Sequence, residues 1–353
     1  MVPLFKPFVP TDLPELNNII NSGVLNYSKW GKIFENELSE FIGNPYLVTL
    51  NSYNSAVLVA ISTLGLKNGD EIIASPMSCL ASNQPFAIMG IKIIWADIDP
   101  KTGTLDPDDV RKKITINTKA ILHNHFCGYP GYINEINNIG KEKSIYVIDD
   151  AIEAFGSEYN EKKIGNVSSD VTLYSFQTVR LPNTIDGGAI AFKNLEHYEK
   201  ALLVRDYGID RKAFRKNDGE INPSCDIKIP GYGALLNEIN SYMGCEQMKY
   251  INHLLEKQRQ NSLYWENYFS ENNINSIQSI KVIKEARPNY WIYGILVNNK
   301  HEALKFFREK NFYASSVHLN NNNYSVFDNS IKLTGVDEFS NQFLALPCGW
   351  WMN

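Results

Sequence analysis

Three segments of the sequence hold side chains that could take part in chemistry. Residues 75–82 read SPMSCLAS, residues 149–153 read DDAIE, and residues 175–188 read SFQTVRLPNTIDGG. The second segment offers carboxylates, the third offers a hydroxyl and a guanidinium, and no lysine lies between Lys163 and Lys193. An arginine is charged at every practical pH and its lone pairs are delocalised, so it cannot form a Schiff base with a carbonyl group.

The elements that surround these segments alternate between strand and helix. EIIAS, IKIIWADI, TKAILHNHF and SIYVIDDA have the length and composition of short buried strands, whereas NSAVLVAISTLGL and INEINNIGKEK have helical spacing. Strands separated by helices predict βαβ units and an α/β fold with a mostly parallel sheet. Ligands of such sheets bind beyond the carboxyl ends of the strands, which is where the three segments lie.

The length of 353 residues favours two domains. After a long helical stretch, strand candidates IKVIKE and YWIYGILV and the helix HEALKFFREK indicate a small α+β unit. We therefore predict a large domain over residues 1–240 and a small C-terminal domain over residues 241–353.

Composition narrows the classes of function. The hydrophobic content of 44% and charged content of 21% are those of a soluble globular protein, and a net charge of −5 argues against a general nucleic-acid surface. No apolar run approaches the roughly 20 residues of a membrane span, and the N-terminal residues lack signal-peptide features. The five cysteines are scattered without a CxxC pair, so no metal site is expected. We expect a cytoplasmic protein without membrane or nucleic-acid partners.

Four stretches together resemble the DegT/StrS-type sugar aminotransferases, a family of fold-type-I enzymes that use pyridoxal phosphate (PLP). They are NGDEIIASPMSCLASNQPFAIMGIKIIWADIDPKTGTLDPDDV, YVIDDAIEAFGSEYNEKKIGN, SFQTVRLPNTIDGGAIAF and PGYGALLNEINSYMGCEQM, and their order and spacing agree throughout the chain. The resemblance implies a large PLP-transferase-like domain, a smaller C-terminal domain and a homodimer with sites at the subunit interface. It also implies a nucleotide-linked keto-sugar as substrate.

Three residues match cofactor positions of the family. Asp150 matches the acid that binds the pyridine nitrogen, although an acid at the end of a strand also commonly caps a following helix. Ser175 matches the serine that binds the cofactor phosphate, and Asn237 matches an asparagine contributed by the partner subunit. A local turn or cap is the alternative for each of the latter two.

Five other positions depart from the family pattern. Arg180 stands where the family has its catalytic lysine, and Tyr53-Asn54 replaces the Gly-Thr of the phosphate loop, where the tyrosine ring would take part of the phosphate volume. Cys79 stands where an aromatic residue often stacks on the cofactor ring, although some branches also have cysteine there. Glu153 replaces the Gln or His that faces the ring's phenolic oxygen, where a carboxylate would be repelled.

Charge complementarity suggests that two of these departures are related. We expect Glu153 and Arg180 to form a bidentate salt bridge across the pocket. His318 is a third candidate catalytic residue, at the mouth of the site by resemblance or else on a surface loop. Arg205 and Arg211, in RDYGIDR, lie near the ligand by resemblance or else carry solvated surface charge.

Three functions remain open on the sequence alone. The first is a protein that modifies a nucleotide-linked or phosphorylated sugar without a lysine Schiff base. The second is a dehydratase or aminotransferase variant that holds PLP or its amine form (PMP) noncovalently, as the family's 3-dehydratases do with histidine in place of lysine. The third is an inactive protein that binds a sugar or a partner enzyme. Ordinary transamination is not expected, and the cofactor is PLP or PMP bound noncovalently at best, or none.

Overall fold

A central sheet dominates the computed structural model, which describes residues 1–272, 274, 276–327 and 331–352. Over the described residues the strands are β1 (Leu47–Leu50), β2 (Glu71–Ala74), β3 (Lys92–Trp95), β4 (Thr118–Asn124), β5 (Tyr146–Asp150), β6 (Glu158–Tyr159), β7 (Lys162–Lys163), β8 (Val171–Ser175), β9 (Gly188–Phe192), β10 (Ile277–Ser279), β11 (Ala286–Arg287), β12 (Tyr293–Val297) and β13 (Phe343–Leu346). The seven strands of the central sheet run in the order β1-β9-β8-β5-β4-β2-β3.

Helices cover the sheet. They are α1 (Leu16–Ser22), α2 (Lys29–Ile42), α3 (Tyr53–Leu64), α4 (Leu80–Ile88), α5 (Pro107–Lys113), α6 (Ile133–Lys143), α7 (Leu195–Val204), α8 (Arg211–Phe214), α9 (Glu238–Met248), α10 (Ile251–Glu271), α11 (Lys300–Glu309) and α12 (Thr334–Gln342). In the part of the chain that the structure describes, none of the helices has both the length and the hydrophobicity needed to cross a bilayer.

The predicted α/β class with a mostly parallel sheet is confirmed. Strands β3, β2, β4, β5 and β8 pair in parallel, and β9 and β1 are added antiparallel at one edge. Strands covered on both faces are rich in apolar residues, and every residue of β1, β2 and β9 is buried. The carboxyl ends of β4, β5 and β8 therefore meet at one edge of the sheet.

Helix α3 begins at this edge. Ser52 caps it, because its hydroxyl accepts a hydrogen bond from the N–H of Ser55 at 3.1 Å. Gly65 ends the helix in the left-handed conformation with φ of 74°, which costs glycine little. The cap fixes where the helix starts, so that Tyr53 becomes its first residue and lies next to the end of the sheet.

The C-terminal part contains a second, antiparallel sheet of order β10-β12-β13. Trp265 and Phe269 of α10 pack with Phe307 of α11 and Tyr293 of β12 to form its core. Strands β11, β6 and β7 form a third, small sheet that joins this part to the large sheet's loops.

The strand predicted over residues 280–285 is wrong. Strand β10 ends at Ser279, and the buried residues that follow, Ile280 and Ile283, lie three positions apart instead of alternating. The N–H of Lys281 donates to a main-chain carbonyl in the loop between β3 and α5, so the backbone leaves the sheet ladder. The apolar residues of this segment pack between two parts of the molecule and do not line one face of a sheet.

The boundary predicted between residues 240 and 241 lies inside α9, which packs against α2. The buried carboxylate of Glu238 accepts hydrogen bonds from the N–H groups of Ser28, Trp30 and Gly31 at 2.7 to 2.9 Å. These N–H groups belong to the first turn of α2, which has no other side-chain cap, so a carboxylate there also suits the helix dipole. The domain division itself stays a prediction.

Candidate functional site

Asp150 lies at the centre of the candidate site, at the end of β5 and fully buried. One carboxylate oxygen, Oδ1, accepts hydrogen bonds from the Tyr53 hydroxyl at 2.7 Å and from the Ile152 N–H at 3.1 Å. The other, Oδ2, accepts from the amide of Asn124, its register partner in β4, at 2.8 Å. The residues that follow Asp150 form bends and turns, so the interpretation that it caps a following helix is wrong.

The Tyr53 side chain extends from the start of α3 to Asp150. The ring is 5% exposed, and burial together with the neighbouring Asp150 raises the pKa of its hydroxyl well above the ordinary value. The hydroxyl is therefore neutral and donates to the carboxylate. The sequence predicted that the Tyr53 ring takes part of the phosphate volume at the start of this helix. In the structure the side chain reaches beyond that position, to the end of β5. Asn54, the next residue, is exposed.

Glu153 is a second buried carboxylate beside the first. Its Oε2 accepts the N–H of Cys127 at 2.8 Å, and its Oε1 contacts His318 Nε2 at 2.8 Å and Arg180 Nη2 at 3.4 Å. Burial alone would raise the pKa of Glu153, but its interactions with His318, Arg180 and the Cys127 N–H outweigh burial and hold the pKa below its usual value. The carboxylate is therefore ionised.

The predicted contact between Glu153 and Arg180 is present, but the predicted bidentate geometry is wrong. Only one guanidinium nitrogen approaches the carboxylate, at 3.4 Å. The reason is that the Cys127 N–H occupies one carboxylate oxygen and His318 takes the closer position on the other. The sequence left two alternatives for His318, a residue at the mouth of the site or a residue of a surface loop. In the structure it contacts Glu153 of the site directly.

Trp291 fixes the plane of the Arg180 guanidinium. The guanidinium carbon lies 4.2 Å from the centre of the indole, and Phe5 stacks on the same indole with ring centres 4.3 Å apart. The indole N–H donates to the carbonyl of Val179 at 3.0 Å. Arg180 is 7% exposed, and its Nε and Nη1 have no hydrogen-bond partner among the described residues. The cation therefore keeps two unused donors.

The remaining predicted site residues have local partners. The Ser175 hydroxyl accepts the Gln177 N–H at 3.3 Å at the end of β8, and the exposed Asn237 caps α9 by accepting the Asn240 N–H at 2.8 Å. Both contacts match the turn and cap alternatives, and the cofactor roles of these residues stay predictions. Cys79 is half-buried before α4, where burial and then the charge of Glu153 raise its pKa, so it is a neutral thiol.

Neither arginine of RDYGIDR is free. Arg205 is 4% exposed and forms a buried ion pair with Glu35, while its guanidinium also donates to the carbonyl of Thr49 at 3.0 Å. Arg211 is bound through two nitrogens by Asp206, at 2.5 and 2.6 Å. The alternative of solvated surface charge is therefore wrong for Arg205, because its guanidinium pairs with the half-buried Glu35 of α2, and its place near the ligand stays a prediction.

A group of buried polar residues lies beneath the site. Potential ligand atoms of His123, His125 and Asp149 lie within 4.8 Å of one another. Asp149 already accepts a hydrogen bond from the Ser169 hydroxyl at 2.6 Å and lies 3.2 Å from His123 Nδ1. These contacts are those of a polar core, and the prediction that the chain holds no metal stays a prediction.

Sequence reasoning missed three residues of the site. Asn124 could have been found, because it ends the strand next to β5 and the rule that led to Asp150 applies equally to it. Cys127 contributes only its main-chain N–H, which no side-chain pattern reveals. Trp291 is far from Arg180 along the chain and follows no motif, so only the folded structure brings the two together.

Comparison with known proteins agrees with this architecture. Residues 9–353 match the model of the DegT/DnrJ/EryC1/StrS aminotransferase family. The UDP-4-amino-4,6-dideoxy-N-acetyl-beta-L-altrosamine transaminase of Campylobacter jejuni serotype O:23/36 is 28% identical over 97% of this chain and 91% of its own length. The GDP-4-keto-6-deoxy-D-mannose 3-dehydratase of Escherichia coli O55:H7 is 28% identical over 72% of this chain and 69% of its own.

Solved structures share the whole fold. AtS13 of Actinomadura melliaura superposes with a TM-score of 0.92 at 26% identity, covering 100% of this chain and 95% of that one. The sugar aminotransferase CalS13 of Micromonospora echinospora superposes with a TM-score of 0.93 at 24% identity, covering 100% and 96%. The fold-type-I PLP-transferase-like class expected from the sequence is thereby confirmed.

The buried Glu153 carboxylate makes a testable contribution to stability against acid. Because its pKa is lower in the folded than in the unfolded chain, the folded state binds fewer protons, and stability from Glu153 is present above the unfolded pKa of about 4.3. That contribution is lost as the pH falls below this value. We expect the free energy of unfolding of wild type to exceed that of Glu153→Gln at neutral pH, with the difference shrinking as the pH falls below about 4.3.

Urea denaturation at a series of pH values measures this difference. Glu199→Gln, a substitution of an exposed glutamate on α7, is the matched control and should follow wild type at every pH. A difference between wild type and Glu153→Gln that does not change with pH would contradict the lowered pKa.

Proposed function

The chain belongs to the DegT/DnrJ/EryC1/StrS aminotransferase family, and from this premise we propose that it modifies a nucleotide-linked or phosphorylated sugar without a lysine Schiff base. The names of the Campylobacter and Escherichia relatives specify UDP- and GDP-linked sugars. The proposal that no lysine Schiff base forms rests mainly on one observation. This is the hydrogen bond from the Tyr53 hydroxyl to Asp150 at 2.7 Å.

That hydrogen bond bears on whether PLP fits this chain. By resemblance, Asp150 has the position of the acid that binds the protonated pyridine nitrogen, which lets the ring accept electrons. Here both carboxylate oxygens already accept hydrogen bonds from Tyr53, Ile152 and Asn124. A pyridine ring would reach Asp150 only by displacing the buried ring of Tyr53. By resemblance, Tyr53 itself stands at the position of the phosphate loop of the same pocket. The residues present do not fit the cofactor.

The charged pair beside Asp150 supports the same conclusion. Arg180 stands at the position of the family's lysine, and a guanidinium offers no free lone pair for attack on an aldehyde. Glu153 brings an ionised carboxylate to the position that faces the phenolic oxygen of the cofactor, where two negative charges would repel. The same Tyr53 contact argues against noncovalent PMP, since PMP needs the same acid.

We propose further that two copies of the chain form a homodimer in the cytoplasm. Ile185, in the loop that carries Arg180, and Leu319, next to His318, are both 58% exposed. Both side chains lie in loops that carry candidate site residues, where the resemblance places the partner subunit. The exposed Asn237 at the start of α9 fits the same arrangement, because the resemblance assigns it to the partner's site.

The sugar-binding part of the proposal is tested by thermal unfolding with added ligand. We expect UDP-N-acetylglucosamine, GDP-mannose or a sugar 1-phosphate to stabilise the chain, by about 2.7 kcal/mol when the ligand is present at 100 times its Kd. ATP, which has no sugar linked to its terminal phosphate, is the control. Unfolding curves that none of the sugar nucleotides or phosphorylated sugars shifts would contradict the proposal.

The cofactor part is tested by titration with PLP and borohydride reduction followed by mass spectrometry. Wild type should yield no reduced adduct in the pocket, and Arg180→Lys alone should not bind PLP, because Tyr53 and Glu153 remain. Combining Arg180→Lys with Glu153→Gln, Tyr53→Gly and Asn54→Thr should restore binding with a visible absorbance band. Strong PLP binding by Arg180→Lys alone would show that Tyr53 does not block the pocket.

The assembly is tested by light scattering at micromolar concentration. We expect a dimer that buries more than the ~2,000 Å² above which obligate interfaces lie. Ile185→Glu combined with Leu319→Glu should shift the chain towards monomer, whereas Leu195→Glu, at an exposed position of α7, should leave the mass unchanged. A stable monomer for wild type would contradict the proposed homodimer.

A further inference from the structure

His318 and Arg180 meet at one oxygen atom of Glu153, and both keep hydrogen-bonding capacity that the fold does not use. The Nε2 atom of His318 lies 2.8 Å from Glu153 Oε1, whereas its Nδ1 has no hydrogen-bond partner in the described chain. Its side chain is 15% exposed and therefore borders solvent. Arg180 is more than nine-tenths buried, and two of its nitrogens are unpaired among the described residues.

The contact with Glu153 selects one form of the histidine. A carboxylate accepts a hydrogen bond, so Nε2 must carry the proton when the ring is neutral, and the lone pair then lies on Nδ1. The same carboxylate stabilises the ring when Nδ1 takes up a proton. A histidine held in this way by an ionised acid is the arrangement by which proteins make a general base.

The guanidinium of Arg180 is also held in a fixed position, and two of its nitrogens have no acceptor among the described residues. The Trp291 indole and the Glu153 carboxylate fix Arg180, so its charge needs no rearrangement to meet an incoming oxygen. Leaving these two buried nitrogens, which carry three N–H groups, without acceptors costs free energy, which folding alone does not explain. Fixed, charged donors of this kind stabilise an oxygen atom on which negative charge develops during a reaction.

We propose that this site catalyses reversible enolisation of a nucleotide-linked keto-sugar, which exchanges the hydrogen on the carbon next to the ketone. This inference rests on the proposed function, which supplies the sugar ligand. The C–H bond next to the carbonyl breaks, its proton moves to His318 Nδ1, and its electron pair forms a carbon–carbon double bond. The carbonyl electron pair moves to the oxygen, where N–H groups of Arg180 stabilise the charge.

The reverse step restores the ketone. The carbonyl re-forms, and the double-bond pair takes a proton from the imidazolium, which has meanwhile exchanged with water. Return of the proton to the original face gives exchange alone, and delivery to the other face gives the epimer. Neither outcome consumes an oxidant, a reductant or a second substrate. Glu153 is a positioning residue in this scheme, because it acts through His318 and Arg180.

The test is proton NMR of GDP-4-keto-6-deoxy-mannose in deuterium oxide with wild-type protein. We expect catalytic loss of the signal of a hydrogen next to the ketone, at C3 or C5, and His318→Gln should slow that loss by about 100-fold or more. Arg180→Gln should slow it similarly, and Arg180→Lys, which keeps a charge, less. His301→Gln changes an exposed histidine of α11 and should exchange as wild type does.

Glu153→Gln gives a second, independent measurement. An amide cannot stabilise the imidazolium, so we expect kcat for exchange to fall by at least about tenfold while KM is little changed, and the pH profile of exchange to move. Calorimetry on the same samples measures binding of the keto-sugar. Binding without exchange by wild type would overturn the enolisation and leave the proposed function intact. Absence of binding would overturn the proposed function, and exchange by His318→Gln at the wild-type rate would overturn the role of His318.

Discussion

The arrangement of the site depends on keeping the buried Glu153 carboxylate ionised. An isolated charge at such a depth costs several kcal/mol, so its partners must be present in the correct geometry. They come from three distant parts of the chain, namely the turn after β4, the loop after β8 and the loop that precedes α12. The contacts of Glu153 therefore bring these three loops together and determine where His318 and Arg180 lie.

Asp150 is also buried, but its hydrogen-bond partners are of a different kind. Its partners are neutral donors, a phenol, an amide and a main-chain N–H, whereas those of Glu153 include a permanent cation. The two oxygens of Asp150 accept three hydrogen bonds, so their hydrogen-bonding capacity is largely used within the protein. A carboxylate that holds a half-paired guanidinium leaves that cation able to bind an additional oxygen. In the proposed reaction, the reactive side of the pocket is therefore the side of Glu153.

The sequence predicted the fold well because apolar runs and their spacing reflect burial in a parallel sheet directly. It also predicted the contact between Glu153 and Arg180. These residues carry opposite charges, and both stand at family positions that face the cofactor ring, where few other partners are within reach. It could not predict that the Tyr53 hydroxyl reaches Asp150, which depends on the rotamer at the start of α3. Nor could it predict that Arg205 belongs to the core, because its partner Glu35 lies on a helix far away in the sequence.

The stack of Phe5, Trp291 and Arg180 has a consequence for how this protein can change over evolutionary time. A single indole contacts the N-terminal segment on one side and the site cation on the other, and its N–H is tied to the loop after β8. A substitution in any of these three segments alters the packing of the other two. Descendants of this chain should therefore vary at these positions together, and relatives that have lysine at position 180 should carry different residues against it.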